Sequence, residues 1–456
     1  MFAEAMSRLP PQPAETQVGE YRQRQSLLTD QLRESDVLVL SSPPHAVRSN
    51  DVGYPYRTSS DLIYLTGWLE SETTYILRHT ADGWKSCLFV QAKDTLKEIW
   101  EGRRPGVEGA LSDHAIDEAY SNEELEERLL VWMNDAKRVF HRGGTNIGLD
   151  SLVESAVRRR DRARQQFGTG PVAVEDPSGL LAELRLRKSA SEIDQLVYAS
   201  KVASLAHELA MRHSRKGITE YQLQGIIEGF FAYAGTAGWS YPSIVGCGEN
   251  ATILHYKTNN DTCGDDEVIL IDAGAEYRGY ASDITRSWPI SGTFSDAQKE
   301  IYEVVLDAQL AGIAACQVGN PYTAPHEAAR RVMAEGLIRL GVISQTVEEA
   351  LDLETGELKR WFMHNTSHWI GLDVHDVGVY KPSGEPRLLE PGMCLTVEPG
   401  LYFGAWRPDV TCPKRYANIG IRIEDDILIT DDGPVNLTED CPKTVEEIEA
   451  IVGNGA

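Results

Sequence analysis

The stretch Glu267–Trp288, EVILIDAGAEYRGYASDITRSW, carries two aspartates, Asp272 and Asp283, eleven residues apart. The apolar runs beside them read as strands, and Glu-Tyr-Arg-Gly between them is turn-like. A hairpin about Tyr277 and Arg278 sets the two carboxylates face to face or nearly so. Like charges opposed across a strand pair destabilise it, and a cation between them removes that objection. The same pattern also suits two aspartates that merely mark strand ends.

Three further strings carry donors. Glu424 lies in GIRIEDD, residues 420–426, where a period of two puts Arg422 and Glu424 on one face and Ile421 and Ile423 on the other. An arginine there orients acidic ligands and limits their repulsion; a surface Arg–Glu pair on an edge strand is the plainer reading. Glu398 ends an apolar strand before Pro399-Gly400, pointing into a cleft or capping a turn. His364 and His368 are spaced i,i+4, but HNTSH lacks the glutamate of the metalloprotease helix and Gly371 follows closely. Asp272, Asp283, His368, Glu398 and Glu424 together make a hard, oxygen-rich set without thiolate. Such a set holds two divalent cations side by side, suiting manganese better than a structural zinc, with zinc or cobalt as substitutes. Two cations held that close share and activate a water for hydrolysis.

The 456 residues are too many for one ordinary core, so two domains are expected. An apolar content of 42% and a charged content of 25% are those of a soluble globular protein. A net charge of −25 argues against nucleic acid or an anionic membrane as partner. The basic cluster Arg158, Arg159, Arg160, Arg162 and Arg164 reads as a solvated helix face. Seven scattered cysteines, with no C-x-x-C pair, lead us to expect reduced thiols and no disulfide framework. No signal peptide and no apolar run of about 18 residues is found, so a cytoplasmic protein is expected.

Residues 1–18 read as a loose arm, 19–178 as an α/β domain, and 179–456 as an α+β domain. DVLVL, TTYILRH and KSCLFVQ alternate with helical patterns in the first, which closes at the candidate linker GTGPVAVEDPSG, residues 168–179. Ser189 and Glu192 have capping-box spacing before a long helical pattern that Gly217 is expected to end. A second box, Ser295 with Gln298, opens another helix. No fixed-period repeat is present.

HNTSHWIGLDVHDVG, LEPGMCLTVEPGLY and GIRIEDD, with GCGENATILHY, LRLRKSASEIDQL and the opening stretch, resemble the metallopeptidase family of aminopeptidase P, prolidase and methionine aminopeptidase. The likeness spans roughly residues 180–450 and implies the pita-bread fold. RSNDVGYPYRTSSDLIYLTG and EIWEGRRPG resemble the non-catalytic domain of aminopeptidase P, which methionine aminopeptidases usually lack. The resemblance implies that Asp272 binds one metal, His368 and Glu398 the other, and Asp283 and Glu424 bridge them. It implies a hydroxide shared by the metals as nucleophile, Glu398 as proton shuttle, His375 at the oxyanion and His255 beside the scissile bond. His364 and Tyr402 would serve the proline pocket, Arg422 would support the ligands, and Trp100 would reach a neighbouring subunit of a homo-oligomer, a dimer or tetramer.

The expected activity is release of the first residue from peptides with proline second. An Xaa-Pro dipeptidase is the nearest alternative, disfavoured by EIWEGRRPG; a metal-free creatinase-like hydrolase or a binding protein is disfavoured by the complete ligand set. Two departures from the family pattern stand out: Asn365-Thr366 where Gly-Leu is common, and the composition of GAWRPDVTCPKRYAN, residues 404–418. Neither touches a ligand, and both bear on the specificity pocket.

Overall fold

The run DVLVL forms the strand Asp36–Ser41, buried from Asp36 to Leu40. A strand apolar on both faces must be covered on both, and this one lies inside a six-stranded sheet. Thr74–Thr80 pairs with it antiparallel and Arg138–Phe140 parallel. The sheet order is Glu118–Ser121, Gly83–Val90, Thr74–Thr80, Asp36–Ser41, Arg138–Phe140, Ala173–Glu175. Its core gathers Val37, Val39, Ile76 and Phe89 with Leu129 of the helix Leu125–Trp132 and Met133 just past its end. The computed structural model describes residues 2–163 and 170–455, with side chains over 2–159 and 170–455. Arg158 pairs with Glu154 on an exposed helix face; Arg160, Arg162 and Arg164 lie outside the described side chains.

The chain divides into two compact units, Glu15–Arg185 and Met1–Ala14 with Leu186–Ala456. The centre of the expected linker is instead the strand Ala173–Glu175, which completes the sheet beside Arg138–Phe140. Glycine and proline around it are compatible with an edge strand, where one side of the backbone has no partner to satisfy. The expected loose arm also packs in part. Phe2–Met6 is a helix with Ala5 buried, Phe2 lies 5.5 Å from Phe230, and Arg8 Nη1 is 2.7 Å from Glu208 Oε1.

In the larger unit, capping boxes at Ser189 and Ser295 open the helices Ala190–His213 and Asp296–Ala314. The first ends four residues before Gly217, which turns the chain at φ 79° into the helix Glu220–Tyr233. Helix Ala324–Arg339 packs with these around one core. That core includes Val202, Ile227, Ile271, Trp288, Val305 and Ile421. Strands Ile244–Cys247, Val268–Asp272 and Thr285–Pro289 form one antiparallel sheet; Cys394–Val397, Asp425–Thr430 and Gly433–Asn436 form another. The short ribbon Gly400–Tyr402 with Gly420–Arg422 lies in the same unit.

Contrary to the expectation of reduced thiols, Cys247 and Cys263 are joined as a disulfide, while Cys87, Cys316, Cys394, Cys412 and Cys441 are free. The pair is sixteen residues apart, with no motif to mark it. It forms because the end of one strand meets the segment whose Thr262 bridges Thr219. No helix among the described residues is long and apolar enough to cross a membrane.

Candidate metal centre

The hairpin turns on Arg278 and Gly279, at φ 50° and 88°, with Tyr277 opposite Tyr280. Two left-handed residues make the tight turn that suits strand twist. The axis is one residue later than Tyr277–Arg278, so Asp272 faces Thr285 and Asp283 sits diagonally from it. Between them the strands close on Gly274, where an added Cβ would lie 1.7 Å from the Ser282 carbonyl oxygen. Backbone cannot yield as a flexible side chain does. Gly274→Ala is therefore expected to cost about 1–3 kcal/mol or more, read by denaturant titration, and to shift both aspartates.

Asp272 and Asp283 share a partner. The Tyr241 hydroxyl lies 2.5 Å from Asp272 Oδ1 and also contacts Asp283 Oδ1, one proton between two carboxylates. Burial and these carboxylates push the hydroxyl well above its ordinary value. Arg422 Nη2 lies 2.6 Å from Asp272 Oδ2, and its Nε donates to the Thr285 hydroxyl at 2.9 Å. Thr285 in turn donates to Glu424 Oε2 at 2.6 Å. The Asp283 amide donates to Asp426 Oδ2 at 3.0 Å. Ile421 and Ile423 point into the core, as the alternation of the strand requires.

His368 comes from irregular chain, not a helix. That chain docks on the strand Cys394–Val397: the Thr396 amide donates to the His368 carbonyl and the Glu398 amide to that of Thr366. Nδ1 of His368 lies 3.0 Å from the Trp369 carbonyl, which can only accept, so Nδ1 carries the hydrogen and Nε2 faces the carboxylates. Nε2 lies 3.4 Å from Asp283 Oδ2 and 3.7 Å from Glu398 Oε1.

Charge in this cluster is out of balance. Burial, then Asp272, raises the Asp283 carboxyl. Burial, then Asp283, raises Glu424 well above its ordinary value. Burial brings Glu398 up to about 7 against the opposing pull of His368 and Arg422, with smaller help from Asp283 and Asp272. Burial pulls His368 down, but contact with Asp283 and Glu398 overrides it and holds the imidazole at about 9. Carboxylates removed from water repel unless cations accompany them. One ligand atom each of Asp283, His368 and Glu424 lies within 4.8 Å of the others, the reach of a single ion. Donor type, burial and repulsion all fit divalent cations.

The cluster floors a cavity of about 350 Å³ with an apolar wall of Ile244, Leu254 and Val374. His255, His364 and His375 face the same space. Tyr402 is fully buried behind it, its hydroxyl 2.8 Å from His364 Nε2 and 3.0 Å from Arg422 Nη1. Trp100 is in the other unit, on helix Thr95–Glu101, and 88% exposed. Sequence reading missed Tyr241, Thr285 and Asp426. Thr285 was within reach, two residues past Asp283 and on the same strand face; nothing in SYPS marks Tyr241.

Residues 194–431 match the model of metallopeptidase family M24. The chain belongs to that family. The larger unit thus has the pita-bread fold of a metal-dependent hydrolase. Residues 21–140 match the aminopeptidase P N-terminal domain. The Xaa-Pro aminopeptidase of Escherichia coli is 40% identical over 434 residues, 95% of this chain and 97% of that one. Xaa-Pro aminopeptidase 3 of Rattus norvegicus is 33% identical, over 91% of this chain and 80% of its own. The aminopeptidase PepP structure from Pseudomonas aeruginosa superposes with a TM-score of 0.91 at 38% identity, covering 96% of this chain and 98% of that one. A zinc-substituted Escherichia coli aminopeptidase P in complex with product also gives 0.91, at 39% identity, covering 96% of this chain and 98% of that one.

Proposed function

We propose that this chain is a metal-dependent Xaa-Pro aminopeptidase, releasing the first residue of peptides with proline in second position. The supporting observation is the convergence of four carboxylates and His368 in one cavity of a chain that resembles such enzymes from end to end. Asp272 would hold one divalent cation and His368 with Glu398 a second, Asp283 and Glu424 being shared. The donor set favours manganese, with zinc or cobalt as substitutes. Bound there, two cations supply Lewis acidity at the scissile carbonyl and make a water acidic enough to ionise near neutral pH.

The chain's own groups do the rest. Glu398, with a carboxyl near 7, takes a proton from the water and passes it to the leaving imide nitrogen. The His375 ring stands edge-on 4.3 Å from His368, and burial followed by the His368 charge lowers its pKa. It donates an N–H to the carbonyl oxygen as charge develops there. His255 contacts the substrate beside the scissile bond. An Xaa-Pro bond offers no N–H to grip; the apolar wall and His364, steadied by Tyr402, accept the ring instead. The free α-amino group meets the acidic floor, and Arg422 positions Asp272. The exposed Leu96, Ile99 and Trp100 of one helix support a homo-oligomer, which sedimentation of the purified protein tests.

The test is digestion of an Xaa-Pro-Xaa tripeptide beside the matching Xaa-Pro dipeptide with manganese, products read by mass. Release of the first residue from the tripeptide is the expected result; cleavage of the dipeptide alone makes the enzyme a dipeptidase. Chelation is expected to abolish activity. It also removes about 4 kcal/mol of stability relative to protein with metal a thousandfold above Kd. Because Asp283 and Glu424 have raised pKa values when folded, their charge opposes folding increasingly as pH rises above about 4.3. The melting gap between loaded and stripped protein should thus be wider at pH 8 than at pH 5.

A further inference from the structure

A second cavity, of about 530 Å³, adjoins the catalytic one, and His364 and Asn365 line both. We infer that it is a subsite for carboxylate groups on the substrate beyond the proline, carried by an acidic side chain or by the chain terminus. This rests on the aminopeptidase reading, in which His364 borders the proline ring, so the chain continuing from that ring leaves past His364.

The lining is basic in a protein whose net charge is −25. Arg330, Lys359, Arg360 and Arg407 face the cavity, against Asp409. Two of these cations are already neutralised: Arg407 Nη2 pairs with Asp409 Oδ2 at 2.5 Å and Arg360 Nη1 with Glu357 Oε1 at 3.1 Å. The other two are held by carbonyls. Arg330 Nη2 donates to the Leu351 carbonyl at 2.6 Å, and Lys359 Nζ to that of Glu354. Glu327 and Asp352 act on them only through space. Burial holds the Arg330 guanidinium below its ordinary value despite the pull of Glu327, the condition of a cation short of a counter-ion. Leu358 and Phe362 give the site an apolar back, which removes water from one side of any ion pair formed there.

Both departures from the family pattern meet in this cavity. Asn365 comes from the first, and Arg407, Asp409 and Val410 come from GAWRPDVTCPKRYAN. Arg407 also donates to the Arg360 carbonyl at 2.6 Å, tying the 404–418 segment to the cavity's other wall. These residues therefore shape the place where the substrate's downstream part would lie.

The experiment uses the manganese-loaded enzyme with three peptides: Ala-Pro-Ala-Ala amide, Ala-Pro-Glu-Glu amide and Ala-Pro-Ala-Ala with a free carboxylate. At low ionic strength the subsite predicts a KM about tenfold lower for a carboxylate-bearing peptide, an advantage that shrinks as salt rises. Preference for the glutamate amide assigns a side-chain carboxylate, and preference for the free acid assigns the terminus. Lys359→Gln, at an exposed position, and separately Arg330→Gln should erase the advantage while leaving cleavage of the neutral amide unchanged. Equal KM for all three peptides, or an advantage that survives both substitutions, overturns the subsite and leaves the aminopeptidase standing. If no peptide loses its first residue, the aminopeptidase reading fails and the subsite with it.

Discussion

Glu424→Ala is expected to strip the protein of catalysis without unfolding it. Glu424 is 2% exposed and its carboxylate accepts a hydrogen bond from the Thr285 hydroxyl, a single neutral contact, so the fold loses little when it goes. Its charge in fact opposes folding, being held far above its ordinary pKa by burial and by Asp283. The cations lose a ligand they would share. Substitutions one shell further out cost about 10–100-fold, so kcat/KM should fall on the order of a thousandfold here. Metal content after dialysis should fall with it, while the metal-free melting temperature holds or rises. Asp283→Ala should behave alike. A Glu424→Ala protein that keeps both metal and activity refutes the dinuclear centre.

Asp425→Ala, at the next residue, should do the reverse and damage the fold. Arg286 and Asp425 are fully buried, with Arg286 Nη2 2.6 Å from Asp425 Oδ1. Lys443 Nζ at 2.5 Å, Gln309 at 2.7 Å and the Thr438 hydroxyl at 2.7 Å complete the shell of the carboxylate. Burial alone would raise this carboxyl, but Arg286 and Lys443 override it and hold it at about 2. Alanine leaves a buried guanidinium without its partner, at a cost of about 3–5 kcal/mol in urea unfolding. The sign with pH follows from the lowered folded value. The carboxylate's contribution is complete above pH about 4 and is lost as pH falls toward 2. The variant should lack that acid limb. Arg286→Met with Asp425→Leu should cost less than Asp425→Ala, since the fully buried guanidinium is removed with its partner and only the partly exposed Lys443 loses a counter-ion. Arg286 Nη1 also holds the Glu424 carbonyl at 2.5 Å, so activity should fall alongside stability.

The five proposed ligands, which line one cavity, were legible because each sits in a distinctive local string, and strand alternation correctly paired Arg422 with Glu424 on the face opposite Ile421 and Ile423. What escaped reading depends on contacts distant in sequence or on backbone conformation. Tyr241 meets Asp272 across thirty-one residues with no period to announce it. The disulfide depends on which strand end meets which loop. The edge strand Ala173–Glu175 hid among turn residues because only its pairing with Arg138–Phe140 makes it a strand. The hairpin axis was missed by one residue because Arg278 adopts φ 50°, a conformation arginine seldom takes, while Gly279 beside it was the better guide.

That turn limits how the molecule can change over evolutionary time. Tyr277 and Tyr280 face each other across two residues, and Asp272 and Asp283 inherit their places from that register. Side chains alternate along a strand, so one inserted or deleted residue sends one aspartate to the opposite side of the sheet. A lineage descended from this chain is free to exchange residues about Arg278, but single-residue indels between the two aspartates are closed to it while hydrolysis is under selection. The interval is a fixed length, and a reading frame for the chemistry.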